Sequence, residues 1–144
     1  MKKIIPIGAD HAGFELKAKV IDFLENKGYE VKDYGCYSTE SIDYADYGHP
    51  VALHVEQNPD VFGIVICGSG NGINMTVNKH QGIRAALCWA PEIAKLAREH
   101  NDANILTLPA RFISEESALE MVQLFIDTPF EGGRHLNRIN KIPC

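Results

Sequence analysis

Phe62-Gly63-Ile64-Val65-Ile66-Cys67 contains no charged or strongly polar side chain, and Gly68-Ser69-Gly70-Asn71-Gly72 cuts the run off abruptly. A strand that alternates apolar and polar residues can leave one face in water. This one cannot. Both of its faces must be buried, as in a parallel sheet covered by helices on both sides. Ile4 to Gly8 reads as another buried strand, Tyr29 to Tyr34 as a weakly alternating one, and Ile83 to Cys88 and Asn104 to Leu108 as two more. Between them, Leu16, Val20, Ile21 and Leu24, and then Val51, Ala52 and Val55, recur at helical spacing. Gly28 and Asn58-Pro59 supply the stops. Further helices are expected from the glycine-rich turn to about His80, from Pro91 to His100, from about Ser114 to Asp127, and from Glu131 towards Lys141. The expected fold is α/β, a three-layer αβα Rossmann-like sandwich with a mainly parallel sheet of about five strands. Pro6 is out of place in the first strand, because proline brings no N–H to the ladder.

Length limits what such a sheet can enclose. The 144 residues suit one compact domain, residues 1–144, that buries roughly 68–70% of the unfolded chain's surface. A separate cofactor domain does not fit. With 45% hydrophobic and 23% charged residues the chain is of the globular class, and its net charge of −5 without a Lys/Arg cluster excludes a general binder of nucleic acid or anionic membranes. Cys36, Cys67, Cys88 and Cys144 form no C-x-x-C pair, so neither a zinc ribbon nor a thioredoxin motif is available. The apolar run after Lys3 is too short for a signal peptide, and no stretch approaches the roughly 20 residues of a membrane span. Reduced cysteines in a cytoplasm are the expectation.

In open parallel sheets ligands bind outside the carboxyl ends of the strands. Two such segments stand out here: Gly8-Ala9-Asp10-His11-Ala12-Gly13 and Cys67-Gly68-Ser69-Gly70-Asn71-Gly72. The second fails as a dinucleotide fingerprint, since Ile73 or Met75 stands where a small residue is needed, and it lacks the G-K-[ST] of a P-loop. What remains is a turn whose N–H groups either approach an anionic or oxyanionic ligand or merely join strand to helix tightly. Cys67, just before it, is either a thiol activated at a helix N-terminus or a small buried hydrophobe, and taken alone the second reading is stronger. Asp10-His11 offers an acid and a base to one pocket, or a capping Asp beside a surface His. His100 could simply favour its helix dipole. Arg134 and Arg138, spaced i, i+4, share a face that suits a phosphate or carboxylate, or water. His49 and His54 have no metal-binding spacing, and no metal site is expected.

In order along the chain stand Gly8-Ala9-Asp10-His11-Ala12-Gly13-Phe14, Asp43-Tyr44, Cys67-Gly68-Ser69-Gly70-Asn71-Gly72-Ile73, Asn78-Lys79, Gly82-Ile83-Arg84, His100-Asn101-Asp102 with Asn104, and Glu131-Gly132-Gly133-Arg134-His135. Together they resemble the ribose-5-phosphate isomerase type B family of sugar-phosphate isomerases (RpiB/LacA/LacB). The resemblance implies an aldose–ketose isomerisation of ribose 5-phosphate and ribulose 5-phosphate through an enediolate, in the non-oxidative branch of the pentose phosphate pathway, with no metal or organic cofactor. It implies Cys67 as the base, and Ser69 with the N–H groups of Gly68, Gly70, Asn71 and Gly72 around the oxyanion. His100 would open the sugar ring with Asp10 assisting, and Asn101 would orient hydroxyls. His11, Arg111, Arg134 and Arg138 would hold phosphate or nearby oxygens, and Tyr44 and His135 would also line the substrate. Ile73 stands where one branch of the family has a catalytic glutamate, so the cysteine branch fits. Ser69 replaces a common threonine and keeps the hydroxyl.

The same resemblance raises a geometric problem. His100 and Asn101 precede the last expected strand, so they belong at the end of the sheet away from Cys67. The expectation is a homodimer or higher homo-oligomer with shared sites, in which His100, Asn101 and Arg111 approach the Cys67 and Asp10 side of a partner. Isomerisation of allose 6-phosphate or galactose 6-phosphate, and a non-catalytic sugar-phosphate-binding module, are the rival readings.

Overall fold

The computed structural model describes residues 3–144. Strands and helices alternate as β1 (Ile4–Ala9), α1 (Phe14–Asn26), β2 (Glu30–Asp33), α2 (Ala45–Gln57), β3 (Gly63–Cys67), α3 (Asn71–Val77), β4 (Ala85–Leu87), α4 (Pro91–Asn101), β5 (Ile105–Pro109), α5 (Glu115–Asp127) and α6 (Arg134–Ile139). The sheet has five strands in the order β2-β1-β3-β5-β4, and every pairing is parallel. This is the expected α/β sandwich. Alternation along β3 sends Ile64 and Ile66 to one face and Val65 and Cys67 to the other. On the first face they meet Val20 and Leu24 of α1, Ala94 and Ala97 of α4, and Met121, Val122 and Phe125 of α5. Val51 and Val55 of α2 and Ile73 and Val77 of α3 cover the second. Each fully buried side chain of this kind stabilises the fold by roughly 1.5–3 kcal/mol, which is why β3 tolerates no polar interruption. No described helix is long and apolar enough to cross a membrane.

Three local expectations shift. Pro6 does lie in β1, opposite Lys32 of β2. Ile7 and Ala9 turn their backbone groups to the β2 side, where Tyr34 N–H donates to Ile7 O and Ala9 N–H donates to Gly35 O. Position 6 therefore faces β3, one residue before that ladder begins at Ile7–Ile64, and its missing N–H interrupts nothing. β4 is shorter than Ile83–Cys88, because side chains take over the pairing at its start. Asn78 bridges the N–H and C=O of Ala85 at 2.9 and 3.0 Å, and Asn104 Oδ1 accepts from Arg84 N–H at 2.7 Å.

The C-terminal helix is Arg134–Ile139, not Glu131 to Lys141. Gly132 and Gly133 have φ of 72° and 59°, outside the right-handed helical region, so the helix cannot start before them. Past Ile139 the chain tightens into a turn, with Lys141 N–H on Arg138 O. α6 packs beside α4, and Glu131 N–H donates to Glu99 O at 3.0 Å.

Candidate active site

β1 leads to a helix on one face of the sheet and β3 to a helix on the other, so a crevice opens between their carboxyl ends. Cys67 ends β3 inside this crevice and is buried. The N–H groups of Gly70, Gly72 and Ile73 face its sulfur. They favour the thiolate, but burial and the nearby Asp10 carboxylate oppose it more strongly, and the thiol is pushed up from its ordinary range. Of the two readings of Cys67, its burial is that of a small buried hydrophobe, and the helix N-terminus does not lower its thiol. Helix α3 has only seven residues, and its few N–H groups do not offset desolvation of the sulfur.

The cradle is set by backbone. Gly70 has φ of 78°, and a Cβ there would collide with Leu87. A side chain on Gly72 would run into the ring of Tyr44, which leans over the turn. Thr107 in β5 donates its buried hydroxyl to Asn74 Oδ1 at 2.8 Å and ties α3 to the sheet. Ser69 Oγ accepts from Asn71 N–H at 3.2 Å, which leaves the serine O–H free to donate to a ligand.

Across the crevice, Asp10 is buried, and its Oδ1 caps the turn after β1 by accepting from Ala12 N–H at 2.9 Å and Gly13 N–H at 3.2 Å. Capping occupies one carboxylate oxygen of Asp10 and leaves the other. His11 Nδ1 accepts from Ile42 N–H at 3.2 Å, so the neutral ring carries its proton on Nε2. The buried Lys17 ammonium holds the loop leading there, with Nζ 2.7 Å from both carboxylate oxygens of Asp33 and from Cys36 O. Beside the cradle, Leu87, Trp89, Pro109 and Phe112 line an open apolar recess of about 280 Å³ with Ser69 and Asn71.

Arg111 belongs to this same end. Its N–H donates to Gly68 O at 3.0 Å, and its side chain lies against Gly68 of its own chain. The expectation that it approaches from a partner is therefore corrected. It follows β5, and Pro109 pairs with Cys67.

His100, Asn101, Arg134, His135 and Arg138 form a second cluster at the other end of the sheet. α4 delivers His100 and Asn101 at the start of β5, which pairs Ile105 with Gly63, four residues and about 13 Å of strand from Cys67. The His100 and His135 rings stack with centroids 4.4 Å apart, and Glu131 Oε1 lies 3.3 Å from His100 Nε2 and 3.8 Å from His135 Nε2. Arg134 and Arg138 are exposed on α6, and Asn101 is exposed at the end of α4. Below them the buried Arg98 reaches Asp102 Oδ1 at 2.9 Å, Ala103 O at 2.6 Å and Thr128 O at 3.2 Å, with its guanidinium over the Phe62 ring. Asp102, at φ 45°, ends α4. Sequence reasoning missed Glu131 and Arg98. Each has one partner at i, i+4, Asp102 for Arg98 and His135 for Glu131, but the partners that set their places, Thr128 and His100, come from separate elements.

A family profile described as ribose/galactose isomerase matches residues 5–142. The chain belongs to this family. Among the ribose/galactose isomerases, ribose-5-phosphate isomerase B of Escherichia coli is 43% identical over 142 residues, 99% of this chain and 95% of that protein. The crystal structure of a ribose 5-phosphate isomerase from Thermotoga maritima is similar with a TM-score of 0.95 at 51% identity, covering 99% of each chain. Ribose-5-phosphate isomerase B of Mycoplasma genitalium, solved with bound ribulose 5-phosphate, matches with a TM-score of 0.95 at 41% identity over 99% of this chain and 95% of that one.

Proposed function

We propose that the chain interconverts D-ribose 5-phosphate and D-ribulose 5-phosphate through an enediolate, in sites shared between two copies of itself. The separation of two complementary clusters carries this reading. One chain holds a base in a cradle of N–H groups, and its acid–base histidine and phosphate-type arginines sit at the far end. Neither cluster is a complete site for a sugar phosphate.

In this mechanism His100 of the partner subunit opens the furanose ring, with Asp10 on the crevice side, and the partner's Asn101 orients the hydroxyls. The Cys67 thiolate takes the proton from C2, and the electron pair moves into the C1–C2 bond as charge develops on O1. The Ser69 hydroxyl and the free N–H groups of the glycine turn stabilise that oxyanion. Cys67 then returns the proton at C1 while the O2 proton passes to O1, so the carbonyl ends at C2 and O1 becomes a hydroxyl. No redox cofactor is required, because oxidation at C2 balances reduction at C1. His11 and Arg111 with the partner's Arg134 and Arg138 hold the phosphate. His135, packed against His100, supports that ring. Cys36, Cys67 and Cys88 are buried free thiols, which suits a reducing compartment such as the cytoplasm.

Cys67→Ala should abolish exchange of the C2 proton with deuterated solvent yet leave ribose 5-phosphate binding largely intact. Near-normal turnover would overturn the assignment. Cys67→Ala and His100→Asn, each inactive alone, should complement when unfolded and refolded together. Random pairing gives about a quarter of wild-type activity, since half the dimers carry one intact site. Persistent inactivity in verified mixed dimers would remove the shared site. Parallel assays with allose 6-phosphate and galactose 6-phosphate decide the substrate.

A further inference from the structure

We propose that His100, Glu131 and His135 form an inhibitory site for a transition-metal dication such as Zn²⁺. Two imidazoles and a carboxylate meet here with ligand atoms within 4.8 Å of one another, and the set lies outside the Cys67 cradle. In a tetrahedral zinc site, metal–ligand bonds of about 2.0–2.1 Å put neighbouring ligand atoms about 3.4 Å apart. The 3.3 and 3.8 Å separations from Glu131 Oε1 to the two Nε2 atoms are already close to that edge. Three elements hold the set. His100 comes from α4 and His135 from α6, while the positive-φ pair Gly132-Gly133 turns Glu131 back to its backbone bond with Glu99 O.

One adjustment is needed. The rings stack within 15° of parallel, so their nitrogen lone pairs point side by side instead of converging. His100 can tilt because its side chain is 42% exposed, whereas His135, at 11%, stays put as the fixed ligand. The fourth position is left to water, the open arrangement of a non-structural zinc site. Arg134 and Arg138 nearby oppose a dication, so binding is weaker than at a structural zinc centre and reversible. The bound ion takes the Nε2 lone pair of His100 and withdraws the group assigned to ring opening. This inhibitory consequence rests on the proposed isomerase reading; metal binding does not.

The test titrates the intact protein with Co²⁺ and Zn²⁺. Tetrahedral Co²⁺ bands without thiolate-to-cobalt absorption are expected, with one ion per chain, displaced by Zn²⁺. Glu131→Gln and His135→Gln should each weaken binding about tenfold or more, at least what losing an outer-shell partner causes. Unchanged binding in both variants, or thiolate absorption marking Cys67 or Cys144 as ligand, would overturn the site. In ribose 5-phosphate turnover, Zn²⁺ should inhibit the wild type, chelator should reverse it, and Glu131→Gln should need about tenfold more Zn²⁺ for the same fractional loss. Binding at the triad that leaves turnover untouched would overturn the inhibition while the spectroscopic site stands.

Discussion

The Cys67 cradle and the His100 cluster are built on opposite plans. In the cradle, backbone N–H groups surround a buried sulfur, and the key positions are glycines whose replacement would strike Leu87 or Tyr44. In the cluster, a half-exposed and a buried histidine from two packed helices meet around one exposed carboxylate. The first is rigid and costs the thiolate its solvation. The second is adjustable and stays wet. Proton transfer at carbon needs fixed geometry, whereas ring opening and phosphate capture tolerate motion, so the contrast matches the division of labour proposed above.

Four experiments bear on that contrast, in descending order of expected effect. Gly70→Ala should lower kcat about 100-fold, because the N–H facing Cys67 is displaced while the cluster is untouched; steady-state kinetics read it. A loss confined to KM would mean that the cradle is not rigid in the required sense. Arg98→Met leaves Asp102 and two carbonyls without their buried cation, and urea denaturation should show a loss of about 3 kcal/mol. Arg138→Ala should raise KM about tenfold with kcat nearly constant, the signature of uniform binding lost from an exposed group. A kcat effect as large as that of Gly70→Ala would erase the distinction between the two regions.

The fourth reads the cradle's electrostatics. In the proposed mechanism the thiolate is the base, and burial raises the Cys67 pKa, so less of the base exists at neutral pH and kcat/KM should rise with pH into the alkaline range. Asp10 also raises that pKa, so Asp10→Asn should move the acid limb to lower pH even though its plateau falls. A shift the other way would show that Asp10 acts on the sulfur through something other than its charge. Cys88, deeper in the core and pushed up to about 12, is a control that touches no substrate. Its raised pKa favours the folded state below the ordinary thiol range of about 8.5, and that contribution disappears as pH rises towards about 12.

Much of the fold and half of the site were legible in the residues. The unbroken apolar run of β3 demanded two-sided burial, and the chain order of a parallel sheet already separated His100 from Cys67. Both follow from local rules of strand patterning and connectivity, which a sequence carries explicitly. The glycine turn was legible as a cradle, but its effect on the sulfur was not, because desolvation depends on how completely α2 and α3 cover the position. Arg111 was assigned to the wrong side for a similar reason. Its neighbours are fixed by the register of β5 on β3. Most hidden was the triad of His100, Glu131 and His135, which exists only because α6 packs on α4. Sequence alone determined which layers and turns form. Tertiary packing decided which charges meet, because contacts between separate elements leave no periodicity behind.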